Sequence, residues 1–228
     1  GTVGFALKVG WTGALNQVGN LAADTVLNYN FSVLPLFVVM GALFTHSRMA
    51  DDLYDAANAF LGRRKGGLAM ATIVACGGFS AVSGSSLACA AAMTKVSVPI
   101  MRRYGYSPGF TAGTVAAGST LDILIPPSIT MVVYSIVTDV NLGKLMIAGF
   151  LPGLLTIACY IAAIWVVTAI WPHLGPAGER TGWAERWRSL KEVWAIALLF
   201  GVALGGIYLG VFTPTEAAGI GAFGTFVL

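Results

Sequence analysis

Apolar residues in this chain run together in long blocks parted by short polar stretches, and strand-like alternation does not recur. Blocks of this kind predict helices in lipid, because a spanning segment must satisfy its own backbone and barrel strands would alternate. Residues 1–28 read as the tail of an earlier span, followed by a polar connection ending near Asn28 and Asn30. A short span follows at 31–44, "FSVLPLFVVMGALF". The next stretch, 47–62, has a different pattern. Met49, Leu53, Ala56, Ala57 and Phe60 fall on one helical face, and Asp51, Asp52, Asp55 and Asn58 on the other. An amphipathic helix this short cannot cross a bilayer, so it is expected along the membrane surface with its acids as a solvated face.

The block 66–101 is bracketed by Arg63-Arg64-Lys65 and by Arg102-Arg103. Basic clusters favour the cytoplasmic side, so the chain must enter the membrane and return. Two full spans need about 40 apolar residues plus a turn. Only 36 are available, and the middle of the block is Ser83-Gly84-Ser85-Ser86. The pattern predicts a re-entrant helical hairpin whose polar tip stops inside the membrane, buried in protein or lining a watery cavity. Its density of Gly and Ala permits close helix packing.

Residues 107–138 carry one charge in their apolar part, Asp122, and two adjacent prolines, Pro126 and Pro127. Each proline lacks an N–H and clashes with the preceding turn, so the segment reads as a broken helix with Pro127 opening its second half. Asp139, Asn141 and Lys144 then read as an outer loop, 145–171 as a long returning span and 172–192 as a polar inner segment with Arg180, Arg186, Arg188 and Lys191. Residues 193–212 form a further span. In "TPTEAAG" (213–219), Thr213, Pro214 and Glu216 have the spacing of a capping box opening a last helix.

Composition agrees. Of 228 residues 57% are hydrophobic and 10% charged, and the mean hydropathy is +0.79, far from a soluble domain. The fold class is therefore an all-α integral membrane protein. A net charge of +3, held in short clusters between apolar blocks, reflects membrane topology and gives no sign of nucleic-acid binding. Cys76, Cys89 and Cys159 lie in apolar segments without metal-ligand spacing and read as small buried hydrophobes. The chain opens on Gly1 and stops at Leu228 inside an apolar run, as a fragment of something longer would.

Two interruptions carry the candidate chemistry: the tip 83–86 and the break 118–128. Broken helices free backbone carbonyls that can coordinate Na⁺ and helix N-termini that can face an anion. The expected sodium and substrate ligands are Ser83, Gly84, Ser85, Ser86, Gly118, Ser119, Thr120, Asp122, Pro126, Pro127 and Ser128. No metal site beyond a possible sodium site and no organic cofactor is expected. An intramembrane serine protease would need a base in reach, but His46 and His173 lie near span ends and no partnered GxSG pattern occurs. A non-transporting assembly or anchor subunit is the other alternative.

The stretches "LPLFVVMGALF", "DDLYDAANAFLGRRKGGLAMATIVACGGFSAVSGSSLA", "PIMRRYGYSPGFTAGTVAAGSTLDILIPPSI", "AGFLPGLL" and "GVFTPTEAAGI" occur in order from about residue 34 to 220. Together they resemble the large (DctM-like) membrane subunit of the TRAP, or tripartite ATP-independent periplasmic, transporters. The resemblance implies a sodium-driven symporter in the bacterial cytoplasmic (inner) membrane, taking up a dicarboxylate or other carboxylate-bearing solute. It also implies a periplasmic substrate-binding protein and a small TRAP membrane subunit as partners. The family's large subunit has two inverted repeats, each giving a hairpin and a broken helix to an elevator-like transport domain. On that plan residues 1–65 are scaffold spans and the interfacial helix, 66–138 the transport-domain hairpin and broken helix, and 139–228 spans leading into the second repeat. The second hairpin would lie beyond Leu228, leaving half of the site here. The chain departs from the family pattern at Cys89, at Thr94-Lys95 and at Asp122, where glycine is usual. Asp122 could be a functional cation ligand, a salt-bridge partner of Lys95, or a protonated, hydrogen-bonded acid.

Overall fold

A computed structural model describes residues 2–27, 32–179 and 181–227, and these are helical, with no strand among them. The order is α1 (Thr2–Val9), α2 (Trp11–Leu27), α3 (Val33–His46), α4 (Met49–Leu61), α5 (Gly67–Ser83), α6 (Ser86–Arg103) and α7 (Pro108–Ser119). A 3-10 turn (Thr120–Ile123) precedes α8 (Ile129–Thr138). Then follow α9 (Leu142–Ile170), a short 3-10 turn (Pro172–Leu174), α10 (Trp183–Glu192), α11 (Trp194–Tyr208) and α12 (Pro214–Val227).

The centre is α5, buried along most of its length and packed by α3, α4, α6, α7, α9 and α11. Lipid is as apolar as leucine, so burial alone gives little drive to associate helices there, and close contact must hold them. The small residues of α5 supply it. Phe79 meets Phe44 of α3 edge-on at 4.9 Å between ring centres. A Cβ placed on Gly118 of α7 would stand 2.6 Å from Cys76 Sγ, so α5 and α7 cross at a distance only glycine allows. Among the described residues one helix, α9, is long and apolar enough by itself to cross a membrane. Two further pairs qualify if each bent pair counts as one span: α3 with α4, bent by 67°, and α10 with α11, bent by 48°.

Helices α5 and α6 form a hairpin, packed together and joined through Gly84 and Ser85 alone. Gly84 has φ +61°, the left-handed conformation that ends a helix at little cost only in glycine. Ser85 then caps α6, its hydroxyl accepting from the Ala88 N–H at 3.4 Å. At the other end the feet of the hairpin are bound together, with the Leu68 N–H donating to the Tyr106 hydroxyl at 3.2 Å. The segment before α10 is tied to the same end. The Gly66 N–H donates to Gly175 O (2.8 Å), Gly178 N–H to Gly62 O (2.9 Å) and Ser107 N–H to Leu174 O (3.2 Å). The basic stretches 63–65 and 102–103 thus lie towards one end of the molecule.

Several expectations are corrected. Residues 11–27 form a helix where a polar connection was expected, turning from α1 at Gly10, while Asn28 and Asn30 lie outside the described residues. The inner polar segment ends in a helix, α10, that carries Arg186, Arg188 and Lys191, and Arg180 lies outside the described residues. Pro127 does not open the second half of the broken helix. Its bond to Pro126 is cis, and α8 starts at Ile129 after Ser128. On α4 the buried stripe runs through Ala50, Tyr54 and Ala57, whereas Phe60 is 43% exposed. Cys76 and Cys89 are buried, but Cys159 is exposed on α9. The capping box is as read: the Thr213 N–H donates to Glu216 Oε2 at 2.8 Å and the Glu216 N–H to Thr213 Oγ1 at 3.3 Å.

Candidate functional site

Helices α5 and α7 run in the same direction from the feet of the hairpin, so the tip of one arrives beside the break that follows the other. Cys76 abuts Gly118, and one to two turns later Ser83 meets Asp122. The first half of the broken helix tightens into the 3-10 turn at Thr120–Ile123, which aims Asp122 inward, where it is 2% exposed. Ser83 Oγ donates to Asp122 Oδ1 at 3.4 Å, and Ser86 Oγ to Oδ2 at 3.5 Å. Both contacts exceed the usual ~2.7 Å of a hydroxyl–oxygen bond, so the carboxylate is held by two long contacts, one to each arm of the hairpin. The salt bridge to Lys95 is not formed. Lys95 is exposed, and the ion pair found among the described residues joins Arg188 to Glu192.

The second contact between tip and break is backbone. A Cβ on Gly84 would stand 3.1 Å from the carbonyl oxygen of Pro127 and 3.6 Å from Ile129 Cγ1. That carbonyl, freed by the break, therefore lies against the hairpin tip. Ser128 follows it, and its hydroxyl is fully buried without a hydrogen bond. Ser80, on the same stripe of α5 as Cys76 and Ser83, carries a second such hydroxyl. From the other side, Gly41 of α3 lies so near that a Cβ there would be 2.5 Å from Ser83 O.

Other expected ligands are placed differently. Ser119 Oγ is bonded back to Val115 O at 2.7 Å, within its own helix. Thr120 Oγ1 donates to Ala117 O at 2.7 Å and meets the Tyr160 hydroxyl of α9 at 3.0 Å. Ser85 Oγ is the α6 cap, and Gly118 serves the crossing with Cys76. Pro126 and Pro127 are both buried in the break. The structure therefore gathers Ser83, Gly84, Ser86, Asp122, Pro127 and Ser128, while the hydroxyls of Ser85, Ser119 and Thr120 are engaged elsewhere. Ser80 was missed by sequence reading, although its spacing from Cys76 and Ser83 placed it on the same helix face. Tyr160 left no sequence signal, since only the fold brings it to Thr120.

The oxygens gathered here suit a hard cation: one carboxylate, serine hydroxyls and a carbonyl at the end of a broken helix. No group of three or more His, Cys, Asp or Glu residues able to hold a metal occurs among the described residues. A cavity of about 640 Å³ lies elsewhere, between Ser135–Gly143 and Phe212–Thr215.

Residues 3–228 match the family model of the tripartite ATP-independent periplasmic transporter, DctM component. The chain is 43% identical over 200 residues to the C4-dicarboxylate TRAP transporter large permease protein DctM of Pseudomonas aeruginosa, covering 87% of this chain and 46% of that protein. It is 32% identical over 217 residues to the ectoine TRAP transporter large permease TeaC of Halomonas elongata, covering 95% and 50%. To the sialic acid TRAP transporter large permease SiaM of Vibrio cholerae it is 34% identical over 214 residues, covering 90% and 49%. The chain spans about half the length of the curated relatives it matches. These relatives are transporter permeases and not enzymes, which sets the protease reading aside. This all-helical membrane chain, with its hairpin seated on a proline-broken helix, belongs to the DctM component family of the TRAP transporters.

Proposed function

We propose that the chain forms the first half of the large membrane subunit of a sodium-coupled secondary transporter in the bacterial inner membrane. It imports a carboxylate-bearing solute handed over by a periplasmic binding protein, with a small TRAP membrane subunit beside it. The observation that carries this reading is the meeting of Asp122 with Ser83 and Ser86 at the hairpin tip. A sodium ion bound there would draw on oxygens from α5, α6 and the break at once, so binding would tie the hairpin to the broken helix. The carbonyl of Pro127, beside Gly84, and the unpartnered buried hydroxyl of the next residue, Ser128, would add neutral oxygens. Neutral oxygens with a single charge suit an ion that must be released in every cycle.

The dimensions support a re-entrant hairpin. Helix α5 has 17 residues and α6 has 18, about 25–27 Å at 1.5 Å per residue, against a hydrocarbon core about 30 Å thick. The arms thus reach most of the way in and return. In this reading residues 66–138 move as part of an elevator-like transport domain, and α9 with its neighbours belongs to the surrounding spans. Dicarboxylates and related organic acids are the expected solute class, and the second repeat completes the site.

The test is solute uptake into vesicles by the full-length protein with its partner subunits and binding protein. Uptake that requires an inward sodium gradient is expected. Equal uptake without sodium sinks the coupling, and no uptake under any gradient supports an anchor subunit instead. Cysteines placed at positions 64 and 103, with the native cysteines removed, should label from the same side of the membrane. Labelling from opposite sides overturns the hairpin.

A further inference from the structure

At the end of the molecule opposite the hairpin tip, three arginines converge on a pocket that no acid lines. Arg63 and Arg64 follow α4, Arg186 projects from α10, and with Thr181 they line a pocket of about 400 Å³. None of the three is ion-paired among the described residues. Arg186 is fixed in place. Its Nε donates to Ala59 O at 2.9 Å, and its guanidinium carbon lies 5.8 Å from the Phe60 ring centre and 5.0 Å from that of Trp183. Thr181 Oγ1 donates to the same carbonyl at 2.8 Å, which anchors the chain just before α10. One nitrogen of the guanidinium fork is thus spent on positioning, and the terminal pair is left for an anion.

Helices α4 and α10 run antiparallel, and the acids of α4 lie at its other end, where burial, followed by the neighbouring charges of Glu192 and Asp51, pushes the Asp52 carboxyl above its ordinary value. Glu192 is also the partner of Arg188. The arginine end is left with a net positive pocket.

Beside it runs an apolar stripe. Trp183, Trp187 and Leu190 of α10 recur at intervals of four and three residues, and Trp194 opens α11 beyond the bend; they are 71%, 62%, 49% and 57% exposed. Indole rings in such a row on an otherwise polar helix mark the level of lipid headgroups, where an apolar ring and a polar N–H are both accommodated. A positive pocket at that level meets phosphates attached to lipid.

We propose that Arg63, Arg64, Thr181 and Arg186 form a headgroup site for an anionic phospholipid, with the tryptophan stripe of α10 seated in the membrane interface beside it. The lipid phosphate takes the guanidinium fork of Arg186 and the two following arginines of α4. A bound lipid therefore bridges α4 to α10. The proposal is independent of the sodium reading, since it concerns the opposite end of the molecule.

The test is quenching of tryptophan fluorescence in the full-length protein with its partner subunits. The protein is placed in phosphatidylcholine bilayers titrated with brominated phosphatidylglycerol or, in parallel, brominated phosphatidylcholine. The parent should be quenched at a lower fraction of the anionic lipid. Arg63→Gln/Arg64→Gln should raise the half-quenching fraction about fivefold per arginine removed. Arg186→Gln, which also loses the bond to Ala59, should raise it further. Arg188→Gln, on the same helix but outside the pocket, should leave it unchanged. Equal quenching by both lipids in the parent overturns the site, as does an unshifted Arg63→Gln/Arg64→Gln variant. Loss of the preference in Arg188→Gln shows attraction by general positive charge and overturns it too. So does loss of the preference in inorganic phosphate but not in chloride of equal ionic strength, since the pocket would then hold the free anion.

Discussion

The two ends of the α5–α6 hairpin are built from opposite materials. At the feet, backbone groups from distant segments bond to each other at 2.8–3.2 Å, and the Tyr106 hydroxyl, 3% exposed, satisfies the Leu68 N–H in the first turn of α5. At the tip, the polar contacts are 3.4 and 3.5 Å long, and the buried hydroxyls of Ser80 and Ser128 have no partner. A helix's first N–H groups are orphans that something must satisfy, and the feet satisfy theirs with fixed protein groups. The tip instead holds oxygens whose bonding is incomplete. Such groups are costly when buried, so they favour any ligand that completes them. The feet therefore hold the hairpin in register, and the tip is where a bound ion can change its energy.

Substitutions at four positions break or sharpen this contrast. The largest effect is expected from Gly84→Leu. A side chain there would take the left-handed conformation, at roughly 1–2 kcal/mol, and press on the Pro127 carbonyl 3.1 Å away. Sodium-dependent uptake should be abolished while the feet and the rest of the fold still assemble. Undiminished uptake would remove the tip from the site.

Asp122→Asn and Asp122→Gly come next. Both remove the charge that faces Ser83 and Ser86, and transport should persist with sodium affinity lowered about tenfold, equivalent to roughly 1.4 kcal/mol. The sodium dependence of uptake measures it. Parent-like affinity in both variants makes Asp122 a packing residue only.

Tyr106→Phe tests the feet. It leaves the Leu68 N–H unsatisfied in a buried place, which costs about 1–3 kcal/mol. Thermal unfolding in detergent should shift down by several degrees, with sodium affinity unchanged. A change in affinity without a change in stability would reverse the roles assigned to the two ends.

The smallest effect is expected from Glu216→Gln in the capping box of α12, which packs along α3. An amide still accepts from the Thr213 N–H, so uptake and sodium affinity should match the parent, with a slight loss of thermal stability. A clear loss of sodium affinity here would show that the junction extends through α3, whose Gly41 abuts Ser83 O.

The sequence by itself determined the class of the molecule and the places where its helices stop. Long apolar blocks require helices in lipid. Gly84 between serines marks the one position where the hairpin chain could turn, and two prolines forbid a continuous helix through 126–127. The capping box at Thr213 and Glu216 was equally legible, because its bonds join residues three apart. These features are local, and local chemistry fixes them. Only the tertiary structure decided which oxygens meet. Asp122 could have paired with Lys95, but the parallel course of α5 and α7 brings it to Ser83 and Ser86 instead. Ser119 and Thr120, as oxygen-bearing as Ser83, were turned aside to their own helix and to Tyr160. Residues 11–27 and 183–192 became helices although their composition is partly polar, because an amphipathic helix needs only one apolar face. A hydroxyl's partner depends on the rotation and depth of two helices distant in sequence, and those follow from packing around α5, which local sequence does not encode.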